Sequence, residues 1–159
     1  RTSPSVSLSR GMLDTNTLIL RGLIDESALP DQCAISAVVL GELAAGVHQV
    51  RSDVPDADAL RAERLVLLQQ AEAEFDPVPY TAEAARMYGR MAAAVIALDR
   101  APRSRASDLM IAATAATERL PLYTTNPGDY RGLEKLVTVV AIPRPRADEG
   151  ETQGISPQG

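Results

Sequence analysis

One cysteine, one histidine, one lysine, one phenylalanine and no tryptophan occur in 159 residues, and each scarcity closes off some chemistry. A single cysteine, Cys33, allows no internal disulfide, and no CxxC pair or nearby histidine supports it as a nucleophile. A single histidine, His48, leaves no His pair for a zinc centre; at the end of an expected helix it has a structural role. The single lysine, Lys135, does not stand where a phosphoaspartate would need one, which counts against a receiver-like or phosphatase-like domain. No glycine-rich phosphate loop occurs, which disfavours nucleotide-hydrolysing and dinucleotide-binding folds. No apolar run approaches the roughly 18 residues of a membrane span, and the first residues lack the apolar stretch of a signal peptide. A soluble cytoplasmic protein is expected.

What is present is aliphatic. Hydrophobic residues make up 45% of the chain and aromatics only 3%, so the core must be built from Ala, Leu, Val and Ile. The length suits one domain with a sizeable core. A net charge of −5 gives no global attraction for nucleic acid, so such a role needs a local basic patch or bound cations.

Short apolar runs alternate with helical patterns. Strands are expected at 12–15, 33–36, 122–125 and 137–142. Helices are expected at 16–25, from Ser36 to about His48, and at 55–75, 81–99 and 107–120. Ser36 and Thr81 are natural N-caps. In the helix over 55–75, Leu60, Leu65, Leu68 and Ala71 are assigned to one side. The alternation predicts an α/β fold with a parallel sheet covered on both faces. Polar residues 1–11 read as a disordered leader or cloning remnant, 12–145 as the domain, and 146–159 as a flexible tail.

Three acids are out of place in this pattern. Asp14 is the one ionisable group of "GMLDTNTLIL". Glu42 is the one charge of "ISAVVLGELAAGV", a segment apolar around most of its circumference and expected to be a buried helix. Asp108 is the one ionisable group of "DLMIAATAAT". A polar turn, "TTNPGDY", adds Asn126 and Asp129. Taken singly, Asp14 can be a cap, Asp108 a response to the helix dipole, and Asn126 and Asp129 turn formers. Jointly they sit where the strands' carboxyl ends open a crevice. Gathered carboxylates repel unless a cation lies between them, and hard oxygen donors suit Mg²⁺ or Mn²⁺. Upstream of Asp108, Arg100, Arg103 and Arg105 are candidates to meet phosphate.

With "MLDTN", "ISAVVLGELAAG", "SDLMIAATA" and "YTTNPGDY" in that order, the chain resembles the PIN-domain family over about residues 12–145. Within that family it resembles the VapC-type toxins of bacterial toxin–antitoxin pairs. The resemblance implies a three-layer α/β/α fold with a small central parallel sheet. It also implies a Mg²⁺- or Mn²⁺-dependent endoribonuclease that hydrolyses RNA with a metal-activated water and leaves a 3′-hydroxyl and a 5′-phosphate. Asp14, Glu42 and Asp108 match the family's first three acids, Asp14 and Asp108 being the first choice as direct metal ligands. The fourth position falls in "TTNPGDY", where Asn126 stands at the central site and Asp129 follows as an acid before an aromatic; both stay open. Thr15, Asn16, Arg103 and Arg105 are candidate substrate-binding residues. The resemblance further implies a VapB-type antitoxin lying over the cleft and a homodimer, with Leu18–Ile24 and Val38–Val47 as candidate groove or dimer surfaces. Two competing assignments are a catalytically weak PIN-like interaction module and a metal-dependent phosphatase-like domain.

Overall fold

The computed structural model describes residues 7–146. Four short strands, β1 (Arg10–Leu13), β2 (Gln32–Ala34), β3 (Leu122–Thr124) and β4 (Val139–Ala141), form one sheet in the order β2-β1-β3-β4. All three pairings are parallel. Parallel neighbours require crossovers, and helices supply them: α1 (Thr15–Leu20) between β1 and β2, then α2 (Ala37–His48), α3 (Ala57–Glu74), α4 (Ala82–Ile96) and α5 (Ala106–Thr117) between β2 and β3. The helices flank the sheet and pack in pairs, α2 on α3 and α4 on α5, with α5 also meeting α2. The α/β fold expected from the alternation is thus present.

Scarce aromatics leave an aliphatic core. Met12, Leu13, Ile35, Val39, Leu109, Ile111, Leu122 and Leu133 are fully buried, each contributing roughly 1.5–3 kcal/mol relative to exposure. β1 lies in the sheet interior, and Gly11 leaves room for the Tyr123 ring of neighbouring β3, with which a Cβ there would collide.

Ser36 and Thr81 cap α2 and α4 as expected, accepting the amides of Val39 at 3.2 Å and Ala84 at 3.1 Å. Three expectations need correction. β1 starts at Arg10, and Ser9 hydrogen-bonds Asp31, so residues 10 and 11, assigned to the leader, belong to the sheet. Leu65 is exposed, and Leu67 takes its place beside Leu68 and Ala71; position 65 lies well over a third of a turn from Leu60, whereas 67 and 71 return to its side. α2 is not buried all round: Val39 and Leu43 are buried, and its other side opens into a groove of about 480 Å³ lined by Val38, Gly41, Glu42, Ala45, Ser107 and Met110. The tail, from residue 147 onward, and residues 1–6 lie outside the described residues.

Candidate active site

Sheet order decides where the site lies. The chain leaves β1 toward β2 on one side and returns as β3 on the other, so the crevice at the carboxyl ends of β1 and β3 is a topological switch point, the usual ligand position in such sheets. Asp14 is the first residue beyond β1, and Thr124, Thr125 and Asn126 close β3.

Asp14 is the N-cap of α1, with extended backbone and its carboxylate accepting the Thr17 amide at 3.0 Å. The capping role is real but is only part of the picture. Asp14 is 5% exposed, and three hydroxyls also donate to it: Thr17 at 2.5 Å, Thr124 at 2.7 Å and Tyr130 at 3.1 Å. A buried carboxylate requires such partners. None of the three hydroxyl donors was singled out from the sequence. The only local signals were the runs of polar residues in "DTNT" and "TTN", and an aromatic after Asp129. Thr125 completes this polar end of β3, its amide donating to the Thr17 hydroxyl at 3.3 Å while its own hydroxyl is buried without a partner among the described residues.

Glu42, at mid-helix in α2, finds a partner in Thr15, whose hydroxyl donates at 2.6 Å. Thr15, a candidate for substrate contact, thus orients an acid. Asn16 is exposed on α1 and makes no side-chain hydrogen bond among the described residues. Asp129 lies in the Pro127–Tyr130 turn and accepts from Arg105 at 2.6 Å. The turn-forming role also holds, since the Asp129 amide bonds the Asn126 carbonyl at 3.0 Å.

Asp108 is the third residue of α5, half-buried, where the helix dipole favours an acid. Its carboxyl is nevertheless pushed up to about 6. Burial is the largest cause, followed by the charges of Asp129, Glu42 and Asp14, with Arg105 partly offsetting them. The same surroundings push the Tyr130 phenol far above the ordinary tyrosine range, burial first and then Asp14 and Asp108. Carboxylates from three other elements thus act on Asp108. Asp129, not Asn126, is the charged member contributed by the last turn.

Among the described residues no three of these side chains close on a single point as they stand, because three of the four acids are turned toward partners of their own. The donor set still fits a hard divalent cation: it offers carboxylate oxygens, no thiolate and no imidazole, in mutual repulsion that a cation would relieve.

A small cleft of about 250 Å³ beside the acids is lined by Glu42, Arg103, Ser104, Arg105, Ser107 and Asp108. It shares Glu42 and Ser107 with the groove along α2, so charged and apolar surfaces are continuous. Arg103 is exposed at its rim. Arg100 does not face the cleft as a free cation: its guanidinium clamps the carbonyls of Gly128 and Arg131 at 3.3 Å, fixing the turn that carries Asp129. His48 lies exposed in the last turn of α2, and burial pushes the Cys33 thiol up, away from thiolate reactivity.

Fold, switch-point position and acid cluster together define a class, and the chain belongs to the PIN-domain family, whose model matches residues 12–135. Within the family it groups with the VapC ribonucleases. It is 33% identical over 141 residues to Ribonuclease VapC5 of Mycobacterium tuberculosis, covering 87% of this chain and 98% of that protein. It is 29% identical over 140 residues to Ribonuclease VapC of Rickettsia bellii, covering 83% and 96%. A crystal structure of a VapBC family member, VapBC-5 from Mycobacterium tuberculosis, is similar with a TM-score of 0.68 and 33% identity, covering 84% of this chain and 98% of that one.

Proposed function

We propose that this chain is a divalent-metal-dependent endoribonuclease, taking Mg²⁺ or Mn²⁺ and acting as the toxin of a VapBC-type toxin–antitoxin pair. The observation that carries this reading is the assembly of Asp14, Glu42, Asp108 and Asp129 at the switch point of the sheet, where burial first and then the charges of Asp129, Glu42 and Asp14 raise the Asp108 carboxyl. Support comes also from the relatives, which bear the name of ribonucleases, and from the structural neighbour, drawn from a toxin–antitoxin system.

Asp14, Glu42 and Asp108 would hold the ion, with Asp129 as the fourth acid and the Asn126 amide beside it. When bound, a divalent cation supplies an acidified water and neutralises charge at the attacked phosphate. The chain's own residues do the rest. The hydroxyls of Thr17, Thr124 and Tyr130 fix the Asp14 carboxylate, and Thr15 fixes Glu42. Arg105 and Arg103 bring positive charge to the rim of an acidic cleft, which an RNA backbone needs before it approaches carboxylates. Asn16, exposed at the start of α1, is a candidate contact for the RNA. Arg105→Gln is expected to raise KM for RNA several-fold with a smaller change in kcat, and to lower the salt slope of binding by about 0.7, the loss of one single-strand phosphate contact. Fluorescence anisotropy of labelled RNA across a salt series measures both.

The expected protein partner is a VapB-type antitoxin. Its docking surface, and that of a homodimer, would use apolar side chains left outside: Ile19 and Leu23 are 48% and 61% exposed, next to buried Leu18 and Ile24. No helix among the described residues is long and apolar enough to cross a membrane, which accords with action on RNA in the cytoplasm. Induced expression in a bacterial host tests the assignment. Growth should stop, and it should resume with Asp14→Asn, with Asp108→Asn or with the co-expressed antitoxin. Unimpaired growth with verified wild-type protein in the cells would overturn it.

A further inference from the structure

An ionised carboxylate offers about four acceptor positions, two on each oxygen, and at Asp14 all four are in use. Oδ1 accepts the Thr17 amide at 3.0 Å and the Thr17 hydroxyl at 2.5 Å. Oδ2 accepts the Thr124 hydroxyl at 2.7 Å and the Tyr130 phenol at 3.1 Å. For Asp14 to ligate a cation, one donor must leave.

Three of the four are tied. The Thr17 amide belongs to the first turn of α1. The Thr17 hydroxyl is itself held from behind by the Thr125 amide at 3.3 Å, and the Thr124 hydroxyl by the Asn126 amide at 3.0 Å, so each must point its proton at Asp14. The phenol of Tyr130 has no such second partner among the described residues, makes the longest of the four bonds, and can turn its O–H about one C–O bond while its ring stays packed. The ring itself is 1% exposed, and Tyr130 directly follows Asp129 in the turn that carries the last acid.

We propose that Tyr130 is the exchangeable donor of Asp14: a positioning residue that satisfies the carboxylate in the metal-free chain and gives way when a divalent cation takes the Oδ2 lone pair. Tyr130 thereby competes with the cation and sets its affinity. The inference rests on the metal-nuclease reading of the site.

Tyr130→Phe keeps the ring and deletes the competitor. Isothermal calorimetry with Mn²⁺ on the full metal-free chain should show about tenfold tighter binding in Tyr130→Phe, since a hydrogen bond to a charged group no longer has to be broken. The metal-free melting temperature of the variant should fall for the same reason. In the wild type, Mg²⁺ should produce a near-ultraviolet tyrosine difference spectrum that Tyr130→Phe lacks; this readout stands on the wild type whatever the variant's fold. Equal or weaker Mn²⁺ binding by a folded Tyr130→Phe, or a wild-type spectrum that Mg²⁺ leaves unchanged while calorimetry registers binding, would overturn the inference and leave the metal site standing. No Mn²⁺ binding by the wild type would overturn both.

Discussion

Asp108→Asn is expected to raise the melting temperature of the metal-free protein while abolishing RNA cleavage. The carboxyl of Asp108 is pushed from 3.8 to about 6, so ionising it at neutral pH costs folding free energy that an amide of the same shape does not cost. The direction follows from linkage: the raised acid contributes stability below about pH 4, where it is protonated in both states, and that contribution is lost as pH climbs through about 6. A shift of two units corresponds to nearly 3 kcal/mol, and half-exposure to solvent reduces it to about 1 kcal/mol. That amounts to roughly 2–4 °C in a domain of this size. Scanning calorimetry of both proteins from pH 4 to 8 should find the curves coincident at the acid end and separated above pH 6. Mg²⁺ should close the gap by stabilising the wild type and not the variant. Cleavage should fall roughly a thousandfold, the loss of several kcal/mol of metal-borne charge stabilisation.

Asp14→Asn should lose cleavage to a similar extent but move stability the other way. An amide nitrogen in place of one carboxylate oxygen would face two donors, either the Thr17 amide and hydroxyl or the hydroxyls of Thr124 and Tyr130. With the nitrogen at the Oδ1 position the cap of α1 is lost and the Thr17 donors are stranded; at the Oδ2 position the cap survives and the hydroxyls of Thr124 and Tyr130 lose their acceptor. Losing a cap costs about 1 kcal/mol and each unsatisfied buried group about 1–3 kcal/mol, so a loss of about 3–5 kcal/mol is expected. Urea denaturation followed by circular dichroism should show a lower midpoint with an unchanged slope. The opposite stability effects of the two variants, against a shared loss of activity, separate a strained acid at α5 from a structural hub at α1.

The parts of this molecule that were legible in its sequence are the local ones. Ser36 and Thr81 announce α2 and α4 because a cap is set by a residue and its third neighbour. Asp14, Glu42 and Asp108 stand out because each interrupts an apolar run. What escaped is non-local or geometric. Two of the four donors that enclose Asp14, the hydroxyls of Thr124 and Tyr130, come from positions 110 and 116 residues away, a distance at which no periodicity speaks. Arg100 looked like a partner for phosphate, yet the fold brings it to the carbonyls of the Asp129 turn. The apolar circumference of α2 suggested burial on every side, but with α3 on one face and α5 on another, the remaining side borders an open groove that starts at Glu42. Arg10 and Gly11 looked like leader because they end a polar, serine-rich stretch; they pair with Gln32 and Cys33 because β1 lies inside the sheet.

Four acids from four elements carry the proposed metal-dependent ribonuclease activity. The most direct test is incubation of structured RNA with purified, antitoxin-free protein in Mg²⁺, in Mn²⁺ or in EDTA, with product ends mapped. Cleavage in either metal to 5′-phosphate and 3′-hydroxyl ends, absent in EDTA and in Asp108→Asn, is the predicted result. Cleavage that persists in EDTA or in Asp108→Asn would contradict it.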